Sequence, residues 1–212
     1  MKSTNLLRSY LYLLLSGLFL IISCKKEKDD NGHLHQTQTY SSEVAQKWHD
    51  FQLGLLRLPA GSNPFGMNGN RYFAYFGIAL YESVVPGMPD HQSLYGQLTN
   101  MPAMPATEPG KAYHWPVSAN TALAFLTRNF YNNTSASNLA SMDSLENALI
   151  DKYQSELNPE LFQRSVSFGK TVAERIFEWS KTDGSLTVHP PYAPPQGLGI
   201  WSPTAPNPTS VS

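Results

Sequence analysis

Cysteine, charge and long apolar runs are all scarce in this chain of 212 residues. A single cysteine excludes an internal disulfide and a metal site built from several thiolates. Charged residues make up 15% of the sequence, whereas about 25% is typical of soluble domains. The net charge of −1 gives no basic footprint, so we predict no nucleic-acid partner. Aromatic residues, at 12%, instead predict large surfaces that are buried or covered by a partner.

The one long apolar run, residues 11–22, follows Lys2 and Arg8 and ends just before Cys24. It is shorter than the ~20 residues that cross a bilayer and is typical of a secretory signal peptide. The position of Cys24 resembles a bacterial lipobox, in which a lipid is attached to the cysteine and the chain is cut before it. We therefore predict a signal peptide over residues 1–23, lipidation at Cys24, and an exported lipoprotein anchored to the outer membrane, periplasmic or at the cell surface. The alternative is an ordinary signal peptide with an incidental cysteine.

Residues 24–40 are charged, then rich in Gln and Thr, and show no apolar periodicity. This composition predicts a flexible tether. The charged stretch after Cys24 resembles the surface-export signal of Bacteroidetes-type lipoproteins, or it is a solvated spacer without a sorting role. His33 and His35 are spaced for chelation, but no second pair of ligands lies nearby, so we predict no metal site here.

Residues 41–184 predict a helical domain of about five helices, and no segment predicts a strand. The fold class expected is therefore all-α. Residues that suit a helix start are Ser41 or Ser42, Asn70, Pro116 and Asn158. Residues 70–85 are apolar on nearly every face, which predicts that this second helix is the central, buried one.

Two segments are rich in proline and lack periodicity. Residues 86–112 form a long connection of the kind that is usually functional or covered by a partner. Met88, Met101 and Met104 lie in it, and thioethers can bind copper(I), although methionine as a filler of apolar gaps is commoner. Residues 185–212, with an isolated Trp201, predict an extended segment packed on the bundle or a truncated connection to something further on.

No pattern in the helices predicts a catalytic site. His49 and Asp50 are adjacent and point to different faces of a helix, so they are not an acid–base pair. His114 precedes Trp115 and is expected to cap a helix. Arg71 and Glu82 lie ~16 Å apart along one helix, so we expect each to form a separate ion pair near its own helix end.

Several blocks of sequence resemble bacterial vanadium-dependent haloperoxidase-like proteins of the type 2 phosphatidic acid phosphatase superfamily. The longest is residues 71–87 (RYFAYFGIALYESVVPG), with shorter ones at residues 48–50 (WHD), 113–116 (YHWP) and 120–123 (NTAL). The resemblance covers about residues 43–203. It implies an all-helical fold and a pocket that holds a phosphate ester or, in full-length relatives, vanadate.

The catalytic signature of that superfamily is absent from this chain. It reads K-x-x-x-x-x-x-R-P, then P-S-G-H, then S-R-x-x-x-x-x-H-x-x-x-D, and in the family all three segments lie in the C-terminal half. No catalytic, cofactor-binding or metal-binding residue is therefore carried over to this sequence. One hypothesis is an N-terminal portion of such an enzyme, inactive alone, which needs a missing C-terminal catalytic half. The other is a non-catalytic surface lipoprotein whose helical bundle is a binding or interaction module.

Overall fold

The computed structural model describes residues 36–59, 69–185, 187–188 and 197–199. Five α-helices occur there: α1 (Glu43–Leu56), α2 (Gly69–Glu82), α3 (Trp115–Phe130), α4 (Ala136–Glu156) and α5 (Pro159–Ser180). Two single 3-10 turns, Thr37–Thr39 and Val85–Gly87, complete the regular structure. No strand is present among the described residues, so the predicted all-α fold class is confirmed.

Side chains outside the helices satisfy the backbone groups at several helix starts. The Asn158 side chain accepts a hydrogen bond from the Glu160 amide at 2.8 Å, and Pro159 follows it, as the sequence predicts. His114 Nδ1 caps α3 by accepting from the Val117 amide at 3.4 Å, which confirms its predicted role. The Ser135 side chain likewise caps α4 by accepting a hydrogen bond from the Asn138 amide at 3.2 Å.

The central helix is α3, and the expectation that α2 occupies this place is wrong. Twelve of the sixteen residues of α3 are buried, whereas α2 exposes Ala74 and Gly77. The apolar pattern of the sequence underestimates the burial of α3, because three of its buried residues, Ser118, Asn120 and Thr127, are polar. Each of these side chains has a hydrogen-bond partner. The hydrogen bonds offset the cost of removing the polar groups from water, so these residues can be buried.

The closest helix packing joins α3 to α5. A Cβ atom at Gly169 would lie 2.1 Å from the backbone oxygen of Ser118, so only glycine lets the two backbones approach this far. Beside this contact, Ser118 Oγ donates to the Ser165 carbonyl at 3.0 Å, and Ser165 Oγ accepts from the His114 amide at 2.8 Å. Small and polar residues therefore line the contact between α3 and α5, the two helices with the most extensive mutual packing.

The proline-rich connection, residues 88–113, is a strap held against α5 and α2. Arg175 Nη1 donates to the Ala103 carbonyl at 2.6 Å, and Arg164 donates from Nε and Nη2 to the Ala112 carbonyl at 3.0 and 2.8 Å. Trp179 Nε1 donates to the Thr99 carbonyl at 3.2 Å. The sequence predicts that this connection is functional or covered by a partner. Much of the strap is covered by helix α5 of the same chain.

The last residues of the predicted tether also contact the helical domain. Thr37 Oγ1 donates to the Val84 carbonyl at 2.7 Å, and the rings of Tyr40 and His114 meet edge to face at 4.8 Å. Burial raises the pKa of Tyr40 to about 12. Thr37 and Tyr40, which fall in the predicted tether, thus pack on the Val85–Gly87 turn and beside the start of α3.

Candidate functional site

An anion pocket needs several cations that converge on one point, and the arginines of the described helices do not converge. Arg71 pairs with Asp183, and Arg128 pairs with both Asp143 and Glu146. Arg164 and Arg175 bind carbonyl groups of the strap at positions 112 and 103. Within the described ranges there is also no group of three His, Cys, Asp or Glu residues that could hold a metal ion.

The most highly connected charged group is a cluster at one end of the bundle, formed by Arg71, Tyr75, Ser180 and Asp183. Arg71 Nε lies 2.6 Å from Asp183 Oδ2, and Arg71 Nη2 donates to the Ser180 carbonyl at 2.5 Å. Tyr75 donates its hydroxyl hydrogen to Asp183 Oδ2 at 3.0 Å. The cluster therefore ties the start of α2 to the end of α5.

Aromatic rings surround the guanidinium of Arg71. Its Cζ lies 5.7, 5.2 and 5.6 Å from the ring centroids of Tyr72, Tyr75 and Phe130, which is within the range of a cation–π attraction. Tyr72 stacks on Phe130 at 4.6 Å, and Tyr75 meets Trp179 edge to face at 5.4 Å. Arg71 is thus fixed by rings on several sides and by a carboxylate, so it is a structural residue.

The pKa values in the cluster follow from these contacts. Partial burial raises the pKa of Asp183, but the hydrogen bonds from Arg71, Ser185 and Tyr75 together lower it by more. The pKa of Asp183 is therefore well below its ordinary value. Burial, together with the hydrogen bond to Asp183, raises the pKa of Tyr75 to about 12. At neutral pH the cluster holds one cation and one anion, so it offers no excess charge to a phosphate or vanadate.

Beside the cluster lies a surface depression, which we call the strap groove, between the strap, α2 and α5. A hollow of about 360 Å³ is bordered by the cluster residues Arg71, Tyr75 and Asp183 together with Ala74, Ile78, Leu98, Thr99 and Trp179. A second hollow of about 550 Å³ lies on the other side of Trp179, lined by Asn100, Pro102, Glu174, Arg175, Glu178 and Thr182. The groove is mainly apolar with carboxylates at its rim, which suits contact with another surface better than catalysis.

Within the described part of the chain, Glu82 lacks the ion pair that the sequence predicts. Its side chain is 1% exposed, and Oε1 accepts from the Leu94 amide at 2.7 Å, while Oε2 has no hydrogen-bond partner in the described part of the chain. The strap passes over the end of α2 at this point, so a backbone N–H takes the place that a cation would fill. Only Arg71 has the predicted separate ion pair.

Other residues singled out from the sequence have structural surroundings. The ring of His49 meets the ring of Phe73, with the two ring centroids 6.3 Å apart. Met101 is buried, and Met104 packs against the core, as expected of methionines that fill apolar gaps. Cys24, His33, His35 and Trp201 lie outside the described residues, so their predicted roles stay predictions.

Three structurally important residues are hard to recognise from the sequence: Asp183, Ser165 and Gly169. In the sequence Asp183 lies only near the end of a helical pattern, because no local feature predicts a partner 112 residues away. Ser165 and Gly169 do carry a signal, since small residues four apart on a helix permit close packing of a second helix. That spacing is weak in a soluble protein and gains meaning only when the facing Ser118 is known.

Comparison with known proteins gives a similarity to a solved structure. No model of a protein family matches the sequence, and no curated protein matches it. The chain is similar to the crystal structure of the first bacterial vanadium-dependent iodoperoxidase, with a TM-score of 0.60 and 27% sequence identity. The matched region covers 77% of this chain and 38% of the iodoperoxidase chain.

Within the described residues no helix is long and apolar enough to pass through a membrane. The similarity shows that the described helices have a fold like that of a vanadium haloperoxidase. The matched region spans 38% of the iodoperoxidase chain, which is less than half of its length.

Proposed function

We propose that this chain is the N-terminal, non-catalytic portion of an exported lipoprotein related to phosphatidic acid phosphatases and vanadium haloperoxidases. The observation that carries the proposal is the similarity to the iodoperoxidase, of which the matched region covers only 38%. The remainder of such a protein would supply the missing catalytic signature. The helical domain would then be a scaffold that supports a catalytic half and is inactive alone.

The arrangement of charge in the described helices supports this division. Arg71, Arg128, Arg164 and Arg175 are each engaged in a different structural contact, and none is available to neutralise the equatorial oxygens of a transferred phosphoryl group or of vanadate. The cations of an active site must therefore come from elsewhere. The strap groove lies next to the end of α5, from which the chain continues into the proline-rich segment, and we assign it as a surface for the catalytic half.

The test is a reconstitution. The genomic sequence after codon 212 is read for an in-frame or frameshifted continuation that encodes the three signature segments. The purified chain is then assayed for phosphatase activity and for vanadate-dependent oxidation of bromide or iodide by peroxide, with and without the downstream segment as a separate chain. We expect activity only with both. Activity of the chain alone that is lost on mutation of one of its own residues would contradict the proposal.

The second candidate is a surface lipoprotein that acts as a helical binding module. The strap groove favours it, because the described chain leaves this apolar depression open. A clean stop after codon 212, with no downstream signature, would support this candidate and oppose the first. Both candidates include the proposal that the protein is an exported lipoprotein, anchored to the outer membrane by a lipid on Cys24 and either periplasmic or at the cell surface.

Lipidation has its own test. A palmitate analogue fed to cells that express the chain should label the wild type and leave Cys24→Ala unlabelled. Equal labelling of the two proteins would contradict the assignment of Cys24, and it would do so without bearing on the enzyme-related part of the proposal.

A further inference from the structure

Helices α1 and α2 follow each other in the chain and both pack on α3, but few residue pairs join them directly. A cavity of about 280 Å³ lies between them, with Leu123 of α3 among the residues that line it. We call this the α1–α2 groove. It is separate from the strap groove, which lies against the other side of α2 and against α5.

The groove has a buried aromatic interior and an exposed mouth. Trp48, Phe76 and Leu123 line it and are almost completely buried. His49 of α1 and Gly77 of α2 also line it but are exposed. The ring of His49 meets the ring of Phe73 across the two helices at 6.3 Å, so the opening is bounded by aromatic groups from both sides.

One polar group in the wall has no partner. The side chain of Gln52 is 3% exposed, and its Nε2 has no hydrogen-bond partner in the described part of the chain. The other buried donor of the wall, Trp48 Nε1, is already bound to Asn120 Oδ1 at 2.8 Å. A buried amide without an acceptor costs free energy, which a bound acceptor would recover.

The composition of the wall selects the charge of a ligand. Among the described residues that line the groove there is no Asp, Glu, Lys or Arg, so a charged ligand would lose its hydration without gaining a counterion from them. The ligand must therefore be neutral. Gln52 Nε2 is the one buried donor without a partner among the described residues of the wall, so an acceptor oxygen is the group that the interior can recognise, and His49 adds a polar group only at the exposed mouth.

The volume selects the size. An apolar cavity of about 150 Å³ holds one benzene ring, and this groove is nearly twice as large. We propose that the α1–α2 groove binds a neutral, mainly apolar molecule of about the size of a fused bicyclic ring, and that the Gln52 amide, whose Nε2 is buried, rotates towards the groove to donate a hydrogen bond to it. This inference does not depend on the proposed function, because it uses only the described helices.

The experiment compares two probes of one shape, 1-tetralone with a carbonyl acceptor and tetralin without it. Binding to the purified full chain is measured by ligand-observed NMR titration. We expect 1-tetralone to bind about five-fold more tightly, the range of one net hydrogen bond. Gln52→Met keeps the length of the side chain and removes the donor, so it should abolish this preference and leave the affinity for tetralin unchanged.

A matched pair of glycine variants locates the binding. Gly77 and Gly54 are both exposed helical glycines with no atom within 4 Å of an added Cβ, but only Gly77 lines the groove. Gly77→Leu should abolish binding of both probes, and Gly54→Leu should leave it intact. Thermal unfolding checks that each variant is folded. If Gly77→Leu does not fold, the Gln52→Met comparison decides alone.

Three results would overturn the proposal. The first is equal affinity of the wild type for the two probes, and the second is retained binding in a folded Gly77→Leu protein. The third is displacement of both probes by the downstream segment added as a separate chain, which would make the groove a contact surface for that segment. Failure of the reconstitution assay, in contrast, would leave the probe titrations unaffected.

Discussion

Two helical glycines, Gly169 on α5 and Gly77 on α2, have opposite surroundings. At Gly169 an added Cβ would lie 2.1 Å from a backbone oxygen of α3, whereas at Gly77 it would meet nothing within 4 Å. The first glycine permits close packing, and the second lies at the mouth of an open groove. The α3–α5 side of the molecule is therefore closed by direct backbone contact, whereas α1 and α2 leave a groove between them and each packs on α3.

The comparison teaches that a helix rich in apolar residues is not necessarily the central one. On the closed side, buried serines share hydrogen bonds, and the backbones approach without large side chains. On the open side, Tyr75 and Phe76 of α2 pack against Phe130 of α3, while Ala74 and Gly77 on the same helix are exposed. Apolar surface that the described chain leaves open is where a ligand or a partner gains most by binding.

The largest expected effect tests the two faces of α2 directly. Ala79 is completely buried, and Ala74 on the same helix is exposed. Ala79→Asp places a carboxylate in an apolar core without a counterion, and we expect it to lower the free energy of unfolding by about 4 kcal/mol. Ala74→Asp serves as the control and should cost less than about 1 kcal/mol. Equal losses in urea denaturation of the two variants would mean that α2 does not have one packed and one open face.

The second effect concerns the closed side. Gly169→Ala forces α3 and α5 apart, which typically costs about 3 kcal/mol, while the better helix propensity of alanine returns about 1 kcal/mol. We expect a net loss of about 2 kcal/mol in the free energy of unfolding, measured by urea denaturation. A Gly169→Ala protein more stable than the wild type would show that propensity wins, and the close approach of the two helices would then be wrong.

The third effect concerns the ion pair that links the open side to the closed one. Because the pKa of Asp183 is lower in the folded protein than its ordinary value of 3.8, its contribution to stability is complete above that value. The contribution is lost as the pH falls through the folded pKa. Asp183 is partly exposed, so we expect Asp183→Asn to cost only about 1 kcal/mol at pH 6.

Other acidic groups also lose stabilising contacts at low pH. Glu43, for example, accepts hydrogen bonds from Lys152 and Lys47, which lower its pKa to about 2. Comparing the wild type with Asp183→Asn at each pH isolates the contribution of Asp183, because Glu43 is present in both proteins. The difference in unfolding free energy between the wild type and Asp183→Asn should shrink as the pH falls from 6 towards 2. A difference that stays constant with pH would mean that Asp183 acts through packing and not through its charge.

The sequence predicts the helices well because their ends and apolar stripes are local features. Asn158 with Pro159, and Pro116 near the start of α3, are visible in a window of a few residues. The central position of α3 is not, because Ser118 and Thr127 read as polar until their hydrogen-bond partners are known. The Arg71–Asp183 pair and the unpartnered amide of Gln52 also depend on contacts between distant segments, and no local pattern encodes them.

The smallest effect tests the open side at Gly77. A glycine inside a helix loses more backbone entropy on folding than alanine does, and Gly77→Ala meets no atom that must move. We therefore expect it to raise the free energy of unfolding by about 0.5–1 kcal/mol. Gly54→Ala on α1 is the matched control and should give the same gain, since its surroundings are equally open. If Gly77→Ala destabilises the protein while Gly54→Ala stabilises it, the space beside Gly77 is filled in solution, and the contrast between an open and a closed side of the bundle no longer holds.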